Sequence, residues 1–186
     1  MGCVWGLGQI HLGSAEMPRI FLLATILLAA QVVLGEEISG RAIGVADGDT
    51  VTLLDAAQVQ HKVRLAGIDA PEKAQAFGNR SKENLARLVF GKNVRADCPK
   101  RDRYGRAVCR VWAAPQDCPG CGPTLDVALA QVTVGLAWHY KQYEKEQTQE
   151  ERARYSFAED EARARRAGLW QDMQPTPPWE WRRRSR

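Results

Sequence analysis

The chain has 186 residues, 45% of them hydrophobic and 26% charged, ordinary globular usage that excludes a wholly disordered chain and suits one domain with a tail. Its histidines are His11, His61 and His139; with His11 in a leader segment, a three-histidine zinc site is excluded, and the sequence has no G-x-x-x-x-G-K-[ST], H-E-x-x-H or G-x-S-x-G motif. The net charge is +4 and four arginines lie among the last five residues, so the basic character belongs to a tail, read as a solvated end, and not to a general nucleic-acid-binding surface.

Met17-Pro18-Arg19 precedes an apolar run from Ile20 to Gly35, broken by Thr25 and Gln31. A positive start, a short apolar stretch and small residues near its end read as a secretory signal peptide over residues 1–35, cleaved after Gly35, with Met17 as a possible true start. The run is short for a membrane span. The expected location is therefore secreted or periplasmic, with no stable membrane association after cleavage; an uncleaved anchor is the alternative. Residues 36–172 form the expected domain and 173–186 a Pro-, Trp- and Arg-rich tail.

Ile38–Ala46 suits a strand, Asp47-Gly48 a tight turn, Thr50–Leu54 a second strand and Val59–Ile68 a third, ended by Ala70-Pro71. Asn79–Phe90 carries Leu85, Leu88 and Val89 at helical spacing, with Gly91 as its stop. Lys92–Ala96 and Ala107–Trp112 read as two more strands around a charged loop. Leu125–Val134 reads as a helix closed by Gly135, and Gln147–Arg166 as a helix ending at Gly168. Pro175–Pro178 then leads into an extended tail whose Trp179 and Trp181 pack back on the domain. The order predicts an α+β, mainly β fold: a five-stranded Greek-key barrel of the OB type with three helices, and a monomer.

The expected mature chain keeps Cys98, Cys109, Cys118 and Cys121. An even count in an exported protein favours disulfides. Cys98 and Cys109 are equidistant from Arg103-Tyr104, so a hairpin tip there would face one thiol to the other. Cys118-Pro-Gly-Cys121 closes a small loop or joins a zinc site. Pairs 98–109 and 118–121 are favoured; zinc stays open.

Three segments stand out: Asp47-Gly-Asp-Thr50, Arg64-Leu-Ala-Gly-Ile-Asp69-Ala-Pro-Glu72 and Asp102-Arg-Tyr-Gly-Arg106. Alone, each reads as a turn, a surface ion pair or a polar loop. Together they offer Asp49 and Asp69 as oxygen donors for a hard divalent cation, with the Ala70 carbonyl as a further donor. Arg64 and Arg106 are planar forks for the oxygens of a phosphodiester, whose negative charge grows during attack. Glu72 remains to orient or deprotonate water. His61 and His139 lack visible partners and read as structural or exposed.

The ordered set, with Gly135-Leu-Ala137 after it, resembles the staphylococcal nuclease (thermonuclease) family over about Gly40 to Trp170. The resemblance implies a calcium-dependent nuclease, a hydrolase that cleaves DNA and RNA to 3′-phosphate ends. By motif it assigns calcium (Ca²⁺) to Asp49, Asp69 and the Ala70 carbonyl, and catalysis to Arg64, Glu72 and Arg106. Tyr104 matches a tyrosine beside the phosphate. Tyr143 matches a base-stacking position, with Tyr140 and Trp138 as substitutes. Ala70 departs from a threonine in the founding enzyme. The competing reading is a non-catalytic OB-type module that binds nucleic acid or protein; retention of Arg64, Glu72 and Arg106 with both aspartates argues against it.

Overall fold

A computed structural model describes residues 1–2 and 35–184. The expected signal peptide lies almost wholly outside the described residues. Three strands run as an antiparallel meander, β1 (Glu36–Val45), β2 (Thr50–Asp55) and β3 (Gln60–Leu65), followed by a two-residue strand β4 (Ile68–Asp69). Helix α1 (Gly78–Val89) leads to the hairpin β5 (Asn93–Arg101) and β6 (Ala107–Ala113). β5 pairs with β1, and β6 pairs in parallel with β3. That last pairing closes a five-stranded barrel of order β3-β2-β1-β5-β6, the expected OB-type architecture.

The alternation of buried and exposed residues along β6 (Ala107, Cys109, Val111 and Ala113 inward) is what a closed barrel requires of a strand with one face to the core. Ile38, Val51, Leu53, Val63, Leu65, Val94 and Ala96 complete the interior. α1 covers one barrel end with Ser81, Leu85 and Val89. A β-bulge breaks the β5–β6 register between Asp97 and Lys100, where Pro99 can donate no ladder hydrogen bond. Cys98 and Cys109 are joined by a disulfide across this hairpin, and Cys118 to Cys121 by a second, the favoured pairing.

The predicted helix from Leu125 begins later. Leu125 and Asp126 form a short strand β7 on β6, and α2 spans Val127–Thr133. The reason is local: the Asp126 carboxylate accepts the Leu129 N–H at 3.0 Å, which makes it the helix N-cap. Strand β8 (Trp138–His139) pairs with β4. α3 (Gln149–Ala164) opens on a capping box in which Thr148 and Glu151 satisfy each other's backbone N–H.

The tail is not extended throughout. Pro178–Arg184 form a short helix, α4. Trp179 packs it onto a second apolar cluster made of Trp138, Ala162, Leu169 and Trp170, so the expected packing of Trp179 is present.

Candidate functional site

Three separate pieces of chain bring carboxylates and guanidiniums together at one end of the barrel. The β1–β2 turn presents Asp49, β4 presents Asp69, and Arg64 projects from β3 between them. Arg64 Nη1 donates to Asp49 Oδ1 and Nη2 to Asp69 Oδ1, each at 2.8 Å. Both aspartates are buried, with the Asp69 side chain fully inaccessible. The other Asp49 oxygen accepts the Ala70 N–H at 3.0 Å, and Thr50 Oγ1 donates to Asp49 Oδ1 at 3.1 Å.

Thr50 is also the link to the next arginine. Arg106 Nη1 donates to Thr50 Oγ1 at 3.3 Å. The rest of the Arg106 fork is held by Asp102 through Nε and Nη2, both at 2.7 Å. Asp102 organises its loop as well, accepting the backbone N–H of Tyr104 and of Arg106. The turn is closed by Gly105 at φ +77°, a left-handed conformation that glycine adopts without strain. This explains the residue order Asp-Arg-Tyr-Gly-Arg: an acid to fold the loop, a glycine to turn it, and an arginine presented at its end.

The Asp47–Asp49 turn is fixed from behind. Gly48 is required by close approach: a Cβ there would collide with Ser81 Oγ and with the Ala70 side chain. Gln131 of α2 is fully buried, and its amide donates to the Gly48 carbonyl at 2.8 Å and the Ser81 carbonyl at 3.0 Å. Ser81 Oγ in turn donates to the Leu136 carbonyl at 2.6 Å. These contacts join α1, α2 and the turn that carries Asp49.

A family model described as staphylococcal nuclease homologue matches residues 62–172 of this chain. The chain belongs to that family. An uncharacterized endonuclease of Haemophilus influenzae is 39% identical over 171 residues, covering 90% of this chain and 88% of the relative. A micrococcal nuclease of Shigella flexneri is 38% identical over 163 residues, with 88% and 91% covered. A staphylococcal-like nuclease of Arabidopsis thaliana is 37% identical over 125 residues, which span 67% of this chain and 34% of that longer protein.

The electrostatics of this staphylococcal nuclease homologue follow from burial and pairing. Burial raises the Asp49 carboxyl above its ordinary value, against the pull of Arg64. Burial also works to lower the Arg64 guanidinium, but Asp49 and Asp69 outweigh it and hold Arg64 above its usual range. Asp102 is likewise desolvated in part, yet Arg106 and the two backbone N–H groups bring its carboxyl below the usual range. A hard cation fits the chemistry of this donor set, which is oxygen-only and carries more carboxylates than Arg64 can neutralise. Among the described residues no group of three or more His, Cys, Asp and Glu side chains is arranged as a metal cluster, so such an ion would need backbone carbonyl or water oxygens besides Asp49 and Asp69.

Glu72 lies on the loop after β4, half-buried, within the same cluster. Tyr104 is 67% exposed beside Arg106, whose guanidinium carbon lies 5.6 Å from the ring centroid. Tyr140 and Tyr143 meet edge to face with centroids 5.3 Å apart, and Lys100 Nζ sits 4.7 Å over Tyr143. Burial first, and then the charge of Asp69, raise the Tyr140 hydroxyl above its ordinary value. Trp138 is buried in the second apolar cluster. His139 is buried and structural: its backbone N–H donates to Glu159 and its ring Nε2 bonds Gln147 Oε1 at 2.8 Å. His61 pairs with Asp55 at 2.7 Å on the barrel.

One member of the site departs from the sequence reading. Arg182, expected in a solvated end, reaches Asp69 Oδ2 at 2.7 Å, Asp69 Oδ1 at 3.2 Å and Glu72 Oε1 at 2.7 Å. Pairing with these carboxylates outweighs the cost of its partial burial and holds the guanidinium above its ordinary range. The signal was present in the Arg182–Arg184 run, but adjacent arginines at a chain end carry no information about which one folds back. Thr50 and Gln131 were missed for the same kind of reason: nothing in their local sequence shows a partner dozens of residues away.

Proposed function

We propose that the protein is an exported, calcium-dependent phosphodiesterase that hydrolyses DNA, and RNA where it fits, leaving 3′-phosphate ends. The observation that carries this reading is the Asp49–Arg64–Asp69 cluster, joined through Thr50 to Arg106, in a chain of the staphylococcal nuclease family. Two disulfides support an oxidising destination.

Asp49 and Asp69 would hold calcium, with the Ala70 carbonyl. Bound there, the ion supplies Lewis-acid polarisation of a phosphoryl oxygen. Glu72 takes a proton from the attacking water. Arg64 spends one N–H on each aspartate, so three of its five donors remain for phosphate oxygens. Arg106 is pre-oriented by Asp102 and Thr50, so little rotamer freedom remains to be lost when it meets the phosphate. Fixed donors aimed at developing charge accelerate the reaction more than any other feature of such a site. Tyr104 stands beside the phosphate position, and Tyr140 and Tyr143 supply ring faces for bases.

The test is cleavage of single-stranded DNA by the purified protein with calcium and with EGTA, beside Glu72→Gln. Cleavage that needs calcium and falls by about a hundredfold or more in the variant, with DNA binding retained, is the expected result. Binding without cleavage under either condition would instead make the protein an OB-type binding module.

A further inference from the structure

The C-terminal helix lies in the cluster that the proposed function uses. Both oxygens of Asp69 are engaged by Arg182, and the Glu72 carboxylate shares the same fork. Arg182 sits at the rim, its side chain 38% exposed, while Asp69 beneath it is inaccessible. Arg182 thus adds a second guanidinium to a cluster in which Arg64 bonds Asp49 and Asp69 and Glu72 is paired with Arg182.

The same helix also covers an aromatic face. The Trp179 indole stacks on Tyr140 with centroids 5.3 Å apart and planes at 25°. A second, edge-on contact to Trp138 at 5.6 Å fixes its position. Upstream, the Gln75 side-chain amide donates to the Thr176 carbonyl at 2.5 Å and so ties the tail to the loop that follows Glu72. Gln75 also accepts the Glu72 N–H at 3.2 Å. Three contacts along one short segment thus reach the loop of Glu72, the ring of Tyr140 and the carboxylate of Asp69.

We infer that the C-terminal segment is an intramolecular plug: Arg182 is a tethered cation that competes with the divalent ion for Asp69, and Trp179 is a tethered ring that competes with a nucleobase for Tyr140. This rests on the proposed function, because it takes its cation site from that reading. The physical logic is exclusion. The carboxylate of Asp69 has two oxygens, Arg182 bonds both, and Arg64 already bonds one of them. A cation that ligates Asp69 meets the Arg182 guanidinium at both oxygens, and displacing Arg182 releases Glu72 from its ion pair in the same event. The plug therefore keeps the proposed base occupied until a cation opens it. Apparent cation affinity is lowered by the fraction of molecules with the plug open.

The test is calorimetric titration of calcium into the wild-type protein, Arg182→Ala, Trp179→Ala and Asp69→Ala. Arg182→Ala should bind calcium about tenfold more tightly than wild type, the gain expected if about a tenth of the wild-type molecules are open. Trp179→Ala should shift affinity the same way, and Asp69→Ala should lose binding. Hydrogen exchange on residues 178–184 gives a second readout: calcium should strip their amide protection in the wild type. Equal affinity in wild type and Arg182→Ala, or weaker binding in the variant, overturns the competition and leaves the cation site standing. Tail amides that stay protected in the calcium complex overturn the release. No binding by wild type or Arg182→Ala overturns the cation site, and the plug with it.

Discussion

Gln131→Met removes a single amide from the interior while keeping the length and nearly the volume of the side chain. The wild-type amide donates to the Gly48 and Ser81 carbonyls and accepts from Asn84 Nδ2 at 2.5 Å. The losses are unequal. Ser81 lies in α1, where its carbonyl keeps its helical partner four residues on. Asn84 is only half-buried and can turn to water. The Gly48 carbonyl is the group left without a donor, and a stranded buried acceptor costs about 1–3 kcal/mol. Taking about 2 kcal/mol, the melting temperature of a domain of this size should fall by about 4–8 °C. Differential scanning calorimetry measures this directly. Because Gly48 precedes Asp49, calcium affinity should weaken in parallel, which separates a loosened turn from a general loss of stability. An unchanged melting temperature would refute the claim that this amide holds the turn.

Arg106→Lys should lower turnover about a hundredfold, because an ammonium can bridge neither Asp102 and Thr50 together nor two phosphate oxygens; steady-state rates near wild type would remove Arg106 from phosphate binding. Tyr155 is buried on α3 and its hydroxyl donates to both oxygens of Asp126, the N-cap of α2, at 3.0 and 3.1 Å. Burial and then the Asp126 charge push the hydroxyl well above its ordinary value. A raised folded value favours the neutral form, so the stabilisation is complete below an unfolded pKa of about 10 and is lost as pH rises through the folded value. Tyr155→Phe should therefore cost about 1–2 kcal/mol at neutral pH, a deficit that shrinks above about pH 10; denaturant titrations showing a gap that stays constant into stronger alkali would sink this assignment.

Much of the barrel was legible in the chain because its cues are local. Alternation in β6, the Gly91 stop after α1, and the cysteines spaced evenly about Arg103-Tyr104 each act within a few residues. The start of α2 was misplaced by two residues, because Leu125 and Asp126 take a strand partner on β6 that helical periodicity cannot reveal. The Asp47–Asp49 turn was legible as a turn, but the need for glycine at its centre comes from Ser81 and Ala70, contacts far along the sequence.

The same division runs through the candidate site. Residue types and their order were sufficient to propose Asp49, Arg64, Asp69, Glu72 and Arg106 as one candidate set, since carboxylates and arginines in that succession suit an anionic phosphodiester and a hard cation. Their pairing was not determined by order. Asp49 and Asp69 converge because β3 runs between them and one guanidinium can bond both. Arg106 joins them because the parallel β3–β6 pairing closes the barrel and brings its loop to Thr50. The chain end shows the limit most clearly. Sequence alone identified Arg182 as a charge and Trp179 as an apolar anchor; only tertiary packing against Trp138 and Tyr140 carries that charge to Asp69 and Glu72, because a short tail has no local code for where its side chains come to rest.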